Sequence, residues 1–418
     1  MTWDWIGIVG TGQSLSVGTP PVSSTVQPYG HLKLSLGPTG NRAVPPWDPE
    51  RPDLSIVSLV EPIRPLTTDY PSPYPDNICG ETGHATMARE ITRLGRAAGV
   101  DPVTVHTVVG ENGQGIVALE KHARPTTGIT GRAYAALLFE VAAIARLARA
   151  AEKTYGVAVI VLTHGETDSA NPTYGRELVR LLADANRDIA AITGQTRKIP
   201  MYVWQQHALP NGETTIGERS VSTQTQWELG LTHKGDFVCI GPHFQMPGHE
   251  SRDGVHLSAV GYQMLGEKVG ALFHRREILG EDVQPLQPIG VERNGARTVV
   301  VRFQVPVGPL TWETAFDPPA LEPWKNGRGF ELFTDHERVP IDAVAISGDC
   351  VRITTAADLP TSDLHVGYAA ANQGVQMATA SHAVRWGQLR DSDPFVGSTT
   401  NLPSPNYAIS FVMPVRRA

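Results

Sequence analysis

The residues of this chain best suited to chemistry are a serine in a glycine-rich turn and a histidine three residues after an aspartate. The serine is Ser14, in Gly12-Gln13-Ser14, directly after the apolar run Ile6–Val9. The histidine is His256, in "SRDGVHLSAVGY", residues 251–262, and the aspartate is Asp253. A serine hydroxyl holds its proton at neutral pH, so it needs a base within hydrogen-bond reach and a group that orients the base. His256 is the candidate base and Asp253 its candidate orienter, because a short turn with Asp-x-x-His spacing presents both side chains to one pocket. The tetrahedral intermediate of such an attack also needs donors for its oxyanion. Two further loops offer them: "GENGQGI", residues 110–116, and "THGETD", residues 163–168. The N–H groups of Ser14 and Gly113 are the candidate donors, since glycine lets the backbone approach closely. A side chain of the HGETD loop is a third.

Each of these loops must be placed by the element before it. Five apolar runs of strand length, Ile6–Val9, Val103–Val109, Val157–Thr163, Pro200–Trp204 and Phe237–Ile240, are rich in Val and Ile and bounded by turn residues. Helical spacing marks residues 132–156, ending at Gly156, residues 171–194, ending at Gly194, and residues 258–277, with Ser258 as cap. Near-continuous apolar strands alternating with helices predict a parallel sheet covered on both faces. The expected fold is therefore α/β, a flavodoxin-like three-layer α/β/α sandwich with about five strands, whose ligands sit beyond the carboxyl ends of the strands. The first, second and third strands run straight into the three polar loops. Residues 19–80, rich in Pro and Gly, read as an irregular insertion near the first strand end, either a wall of the site or a surface excursion. After residue 284 the pattern becomes short alternating segments such as "RTVVVRFQV", "VRITTA" and "YAISFVMPV", the mark of a C-terminal β-sandwich over 285–418. At 418 residues two domains are the prior expectation.

Composition narrows the partners. A net charge of −7 argues against nucleic acid and anionic membranes as main partners. No apolar run reaches membrane-span length. The first residues lack a basic segment followed by an apolar core, so no secretory leader is expected. Cys79, Cys239 and Cys350 are few and scattered, with neither a disulfide framework nor metal spacing. No metal or cofactor is expected, and a cytoplasmic location is favoured, with an extracellular one open to a processed chain. The sequence says nothing of oligomeric state.

The four blocks resemble the SGNH hydrolase superfamily, also called GDSL-like esterases, over most of residues 5–275. "DGVHLSAVGY" is the most specific match. Gln13 stands where the family commonly has Asp, and Thr167 where it has the oxyanion-hole Asn. Both departures resemble the carbohydrate and sialic-acid O-acetylesterase branch, which carries Gly-Gln-Ser and Gln-Gly-Glu-x-Asp; His164 occupies the position of that branch's first Gln. The resemblance implies a serine esterase that removes acyl groups, foremost acetyl, from sugar hydroxyls. It makes His164 a candidate oxyanion donor, as a neutral imidazole donates a hydrogen bond like an amide. It also makes Glu166 a second candidate acid beside Asp253. Gln13, Trp204, Gln205 and Trp47 are the expected substrate contacts, since sugar sites combine amides with an aromatic platform. Two alternatives stand beside this reading: a general short-chain esterase using the same residues, and a non-catalytic glycan-binding or structural module.

Overall fold

The computed structural model describes residues 3–35, 48–64, 77–121, 131–206, 208–209, 220–245, 255–315, 325–335, 337–370, 383–384 and 386–416. Its first body is built on a seven-stranded sheet. Five consecutive strands of it run parallel: β1 (Trp5–Gly12), β4 (Thr104–Val108), β5 (Tyr155–Thr163), β6 (Met201–Gln205) and β8 (Phe237–Pro242), the last at the sheet edge. They lie in the order β4-β1-β5-β6-β8. All nine residues of β5 are buried, as a strand covered on both faces requires. Side chains alternate between two cores. Val9, Val157, Ile160 and Leu162 pack with α3 (Arg132–Ala150) and α4 (Tyr174–Thr193). Ile6, Ile8, Val159 and Val161 pack with α2 (His84–Ala97) and α6 (Ala259–Phe273).

The sheet has seven strands where about five are expected. The extra two come from the stretch expected to be irregular. β2 (Leu32–Ser35) pairs parallel with β4, and β3 (Ser55–Ser58) pairs antiparallel with β2 at the sheet edge. Both strands are short and partly exposed, which is why they carry no strong apolar signal. Gly156 is not a helix cap. The helix stops at Ala150, and Gly156 lies in β5, where a Cβ would fall 2.3 Å from the Trp3 ring. Gly194 does end α4, in the left-handed conformation.

The insertion also carries a buried acid. Glu61 accepts from the Thr82 hydroxyl at 2.7 Å and from the N–H groups of Ala85 and Ile63, both at 3.2 Å. Burial, and then the Glu81 carboxylate, push its pKa from 4.5 up to about 7. The folded chain keeps this proton over a range where the unfolded chain has released it. The stability it contributes is full below about pH 4.5 and is lost as pH rises through about 7. Urea melts between about pH 5 and 8 are expected to show that loss, and Glu61→Gln to flatten it. An unchanged slope in the variant would mean that Glu61 is not the group responsible.

The C-terminal region holds two four-stranded antiparallel sheets. One is β14 (Ile341–Ser347), β15 (Cys350–Thr355), β10 (Thr298–Gln304) and β9 (Gln287–Arg293). The other is β13 (Arg338–Val339), β12 (Phe330–Phe333), β16 (His365–Tyr368) and β19 (Phe411–Pro414). Val299, Val301, Val351 and Ile353 of the first meet Phe330, Val366, Tyr368 and Phe411 of the second in one core. β11 (Thr311–Trp312) pairs with β18 (Leu389–Arg390), and β7 (Ala208–Leu209) pairs across the two bodies with β17 (Ala383–Val384). The bodies share apolar and polar contacts. Trp227, in α5 (Val221–Thr232), and Cys239 and Phe244 of the first body join the second core, and Trp227 Nε1 donates to Gln287 Oε1 at 2.8 Å. No described helix is long and apolar enough to cross a membrane.

Candidate active site

β1 ends at Gly12, whose φ of +141° turns the chain out of the sheet. A Cβ there would lie 2.0 Å from the Thr163 carbonyl oxygen, so only glycine permits this approach of β1 to β5. Ser14 then opens α1 (Ser14–Val17), and no side chain caps that helix's first turn. The first N–H groups of a helix have no intrahelical partner, so the Ser14 N–H is placed to meet an acceptor. Ser14 itself is 4% exposed.

Two polar loops are bonded to this turn, and another to Thr19 just past α1. The Glu111 N–H donates to the Gly12 carbonyl at 2.8 Å, which ties the 110–116 loop to the serine turn. The Gln13 N–H donates to Thr163 O at 3.1 Å, and Gln13 Oε1 accepts from the N–H groups of Gly165 and Thr167, both at 3.4 Å. Gln13, expected to touch substrate, thus uses its side-chain carbonyl to hold the 163–168 loop. Asp168 links the second and third loops: its Oδ2 accepts from the Ile116 N–H at 2.7 Å, and its Oδ1 from Asn171 Nδ2 at 2.8 Å. The fourth loop is held by Thr19, whose hydroxyl donates to Leu257 O at 3.3 Å. Leu15 and Leu257, each next to a proposed catalytic residue, are buried in the same apolar cluster. Gly113 lies at the exposed tip of its loop, with φ +65°.

Three expected contacts are corrected. His164 is buried with both ring nitrogens engaged: Nε2 lies 3.0 Å from Gln114 O and Nδ1 3.1 Å from the Tyr174 hydroxyl. A carbonyl only accepts, so Nε2 carries the proton and Nδ1 accepts from Tyr174. No N–H is left for an oxyanion. Burial lowers its pKa, against the pull of Asp168, so the ring is a neutral strut between loops. Trp204 is 1% exposed and packs against the His243 ring at 5.2 Å, so it offers no sugar platform. Gln205 is fully buried and clamps the two bodies together. Its Nε2 donates to Thr223 O and Ser410 O, both at 2.9 Å, and its Oε1 accepts from Ser410 N–H at 2.8 Å. Gln205→Ala is expected to destabilise the chain by about 2–4 kcal/mol, because three buried backbone groups lose partners. Turnover per folded molecule should stay the same. A raised KM with unaltered stability would restore the substrate role. Asp253 and Trp47 lie outside the described residues.

Glu166 is buried within the third loop and adds to the field that holds up the Tyr174 pKa, behind the larger effect of burial. Some positioning residues carry no motif. Asn77, from the insertion, donates from Nδ2 to Gly110 O and accepts at Oδ1 from the Asn112 N–H, both at 3.0 Å. It therefore holds the N-terminal side of the Gly113 loop. Arg132 forms a buried ion pair with Glu111, donating from Nε to Oε1 at 2.7 Å. Ser222 donates to Gly165 O at 2.7 Å, and Gln226 donates to His164 O. Asn, Ser and Gln are common loop residues, and only their distant partners give these a role.

No family model matches the sequence, and no curated protein matches it. Among solved structures, a carbohydrate acetylesterase from Xanthomonas citri superposes with a TM-score of 0.58 at 13% identity, over 98% of this chain and 80% of its own. The two chains share a fold. A protein from Arabidopsis thaliana gives a TM-score of 0.44 at 15% identity, over 65% of this chain and 98% of its own. NanS gives 0.43 at 11% identity, over 67% and 99%.

Proposed function

We propose that this chain is a serine esterase that removes acyl groups, acetyl foremost, from carbohydrate hydroxyls. The convergence of the four loops supports this reading most. The Ser14 turn is bonded directly to the Gly113 loop and to the 163–168 loop, and through Thr19 to the segment that carries His256. The shared fold with a carbohydrate acetylesterase agrees with it. On this reading residues 1–284 form the catalytic unit, a flavodoxin-like sandwich, and 285–418 a β-sandwich that braces it.

Ser14 Oγ attacks the ester carbonyl while His256 takes its proton. The N–H groups of Ser14 and Gly113 receive the oxyanion, without His164. The sugar leaves as an alcohol, protonated by His256, and water then releases the acid by the reverse roles. Asp253 or Glu166 orients the imidazole. The test is a substrate profile beside a covalent label. A serine-directed phosphonate should modify Ser14, and kcat/KM on acetylated sugars should exceed that on butyryl and longer simple esters. Preference for the longer chains would leave a general esterase. Folded protein that resists the phosphonate at Ser14 and hydrolyses none of these esters would overturn the enzyme reading.

A further inference from the structure

Gly113 is exposed at its loop tip, so its neighbours must set the direction of its N–H. The residue on each side is anchored. Asn77 Oδ1 accepts from the Asn112 N–H at 3.0 Å, and the Gln114 carbonyl accepts from His164 Nε2 at 3.0 Å. The second anchor depends on where an imidazole proton sits. A neutral imidazole carries one proton and can hold it on either nitrogen. With the proton on Nδ1, the Nε2 lone pair would face the Gln114 carbonyl and repel it.

Backbone groups fix the direction of the bonds behind His164. The Gln206 N–H can only donate, and it meets Gln226 Oε1 at 3.1 Å. That orients the Gln226 amide, whose Nε2 then gives its hydrogens to the His164 carbonyl and, at 3.3 Å, to the Tyr174 hydroxyl oxygen. Tyr174, having accepted from Gln226, has its own O–H for His164 Nδ1, 3.1 Å away. The two rings stack, with centroids 5.7 Å apart and planes 12° apart. Gln226, Tyr174 and His164 are all buried, so bulk water does not compete for these bonds. Asp168 Oδ2 is 3.7 Å from His164 Nε2, beyond hydrogen-bond reach, and takes the Ile116 N–H instead.

We propose that Tyr174 is a positioning residue for ester hydrolysis: its hydroxyl, oriented by Gln226, holds His164 so that Nε2–H anchors Gln114 and aims the Gly113 N–H at the oxyanion. This rests on the reading of Gly113 as an oxyanion donor. The device is needed because residue 164 is a histidine. A glutamine there would carry its donor on a fixed nitrogen, with no tautomer for a hydroxyl to select. The relay also brings two helices into the chemistry from positions that belong to no motif. Tyr174 opens α4, and Gln226 lies midway along α5.

Tyr174→Phe in the full chain tests this, since it keeps the stacked ring and removes the hydroxyl alone. On a chromogenic acetate, kcat per folded molecule is expected to fall about tenfold or more, as a misplaced oxyanion donor costs. KM should stay within about twofold, because the oxyanion forms only after attack. In a His164→Gln background the same change should cost less than about twofold further. Heteronuclear NMR of the imidazole nitrogens, with His164→Gln to assign the signals, should show His164 protonated on Nε2 in the parent. The proposal is overturned if Tyr174→Phe lowers stability but leaves kcat per folded molecule unchanged. It is equally overturned if the full loss recurs beside Gln at 164, or if the parent carries the proton on Nδ1. A parent that hydrolyses no ester would overturn the esterase reading itself, which separates the two failures.

Discussion

Ser14→Ala is expected to lower kcat/KM on an acetyl ester by about 10³-fold or more, with the fold intact. The mechanism has one nucleophile, and alanine at the start of α1 leaves the oxyanion donors in place with nothing to attack. The residual rate should be what oxyanion binding alone supplies. His256→Ala should cost nearly as much, and the double variant little more than either, because nucleophile and base act as a unit. Initial rates on a chromogenic acetate, with circular dichroism to confirm folding, measure this. A Ser14→Ala variant within tenfold of the parent would refute the proposed chemistry.

Gly12→Ala should destroy the site from the backbone. At φ +141° an L side chain is strained, and its Cβ would fall 2.0 Å from Thr163 O. The contact is with backbone, so no rotamer relieves it. β1 and β5 must separate, and the bonds Gln13 N–H to Thr163 O and Glu111 N–H to Gly12 O go with that shift. A loss of at least about 3 kcal/mol is expected, together with loss of turnover in whatever still folds. Gly113→Ala is the control. It has φ +65° but no atom within 4 Å of an added Cβ, so it should cost only about 1–2 kcal/mol. Urea melts of both variants rank them, and equal losses would mean that conformation rather than crowding makes Gly12 necessary.

The central strands were legible because buried parallel strands are nearly continuous in Val and Ile, and all five apolar runs became strands of one sheet. β2 and β3 were hidden because each has only four residues and is partly or mostly exposed. Helix α2 was missed too, although its burial against α6 is close. A Cβ on Gly266 would lie 1.9 Å from Gly83 O, a contact that no local pattern displays. Gly156 misled for the same reason, since a glycine at the start of a strand looks like a helix stop until Trp3 is laid across it.

By itself the sequence determined which segments become strands and helices, and so which loops stand at one end of the sheet. It did so because apolar periodicity and turn residues act over a few neighbours. The tertiary structure decided which polar side chains in those loops stay on the solvent side of the chemistry and which become internal struts. Gln205 looked like a sugar contact, but its partner Ser410 is 205 residues away. His164 looked like an oxyanion donor, but Gln114 and Tyr174 take both its nitrogens. A hydrogen bond inside a protein is set by whatever the fold brings within about 3 Å, and chain separation puts no limit on that.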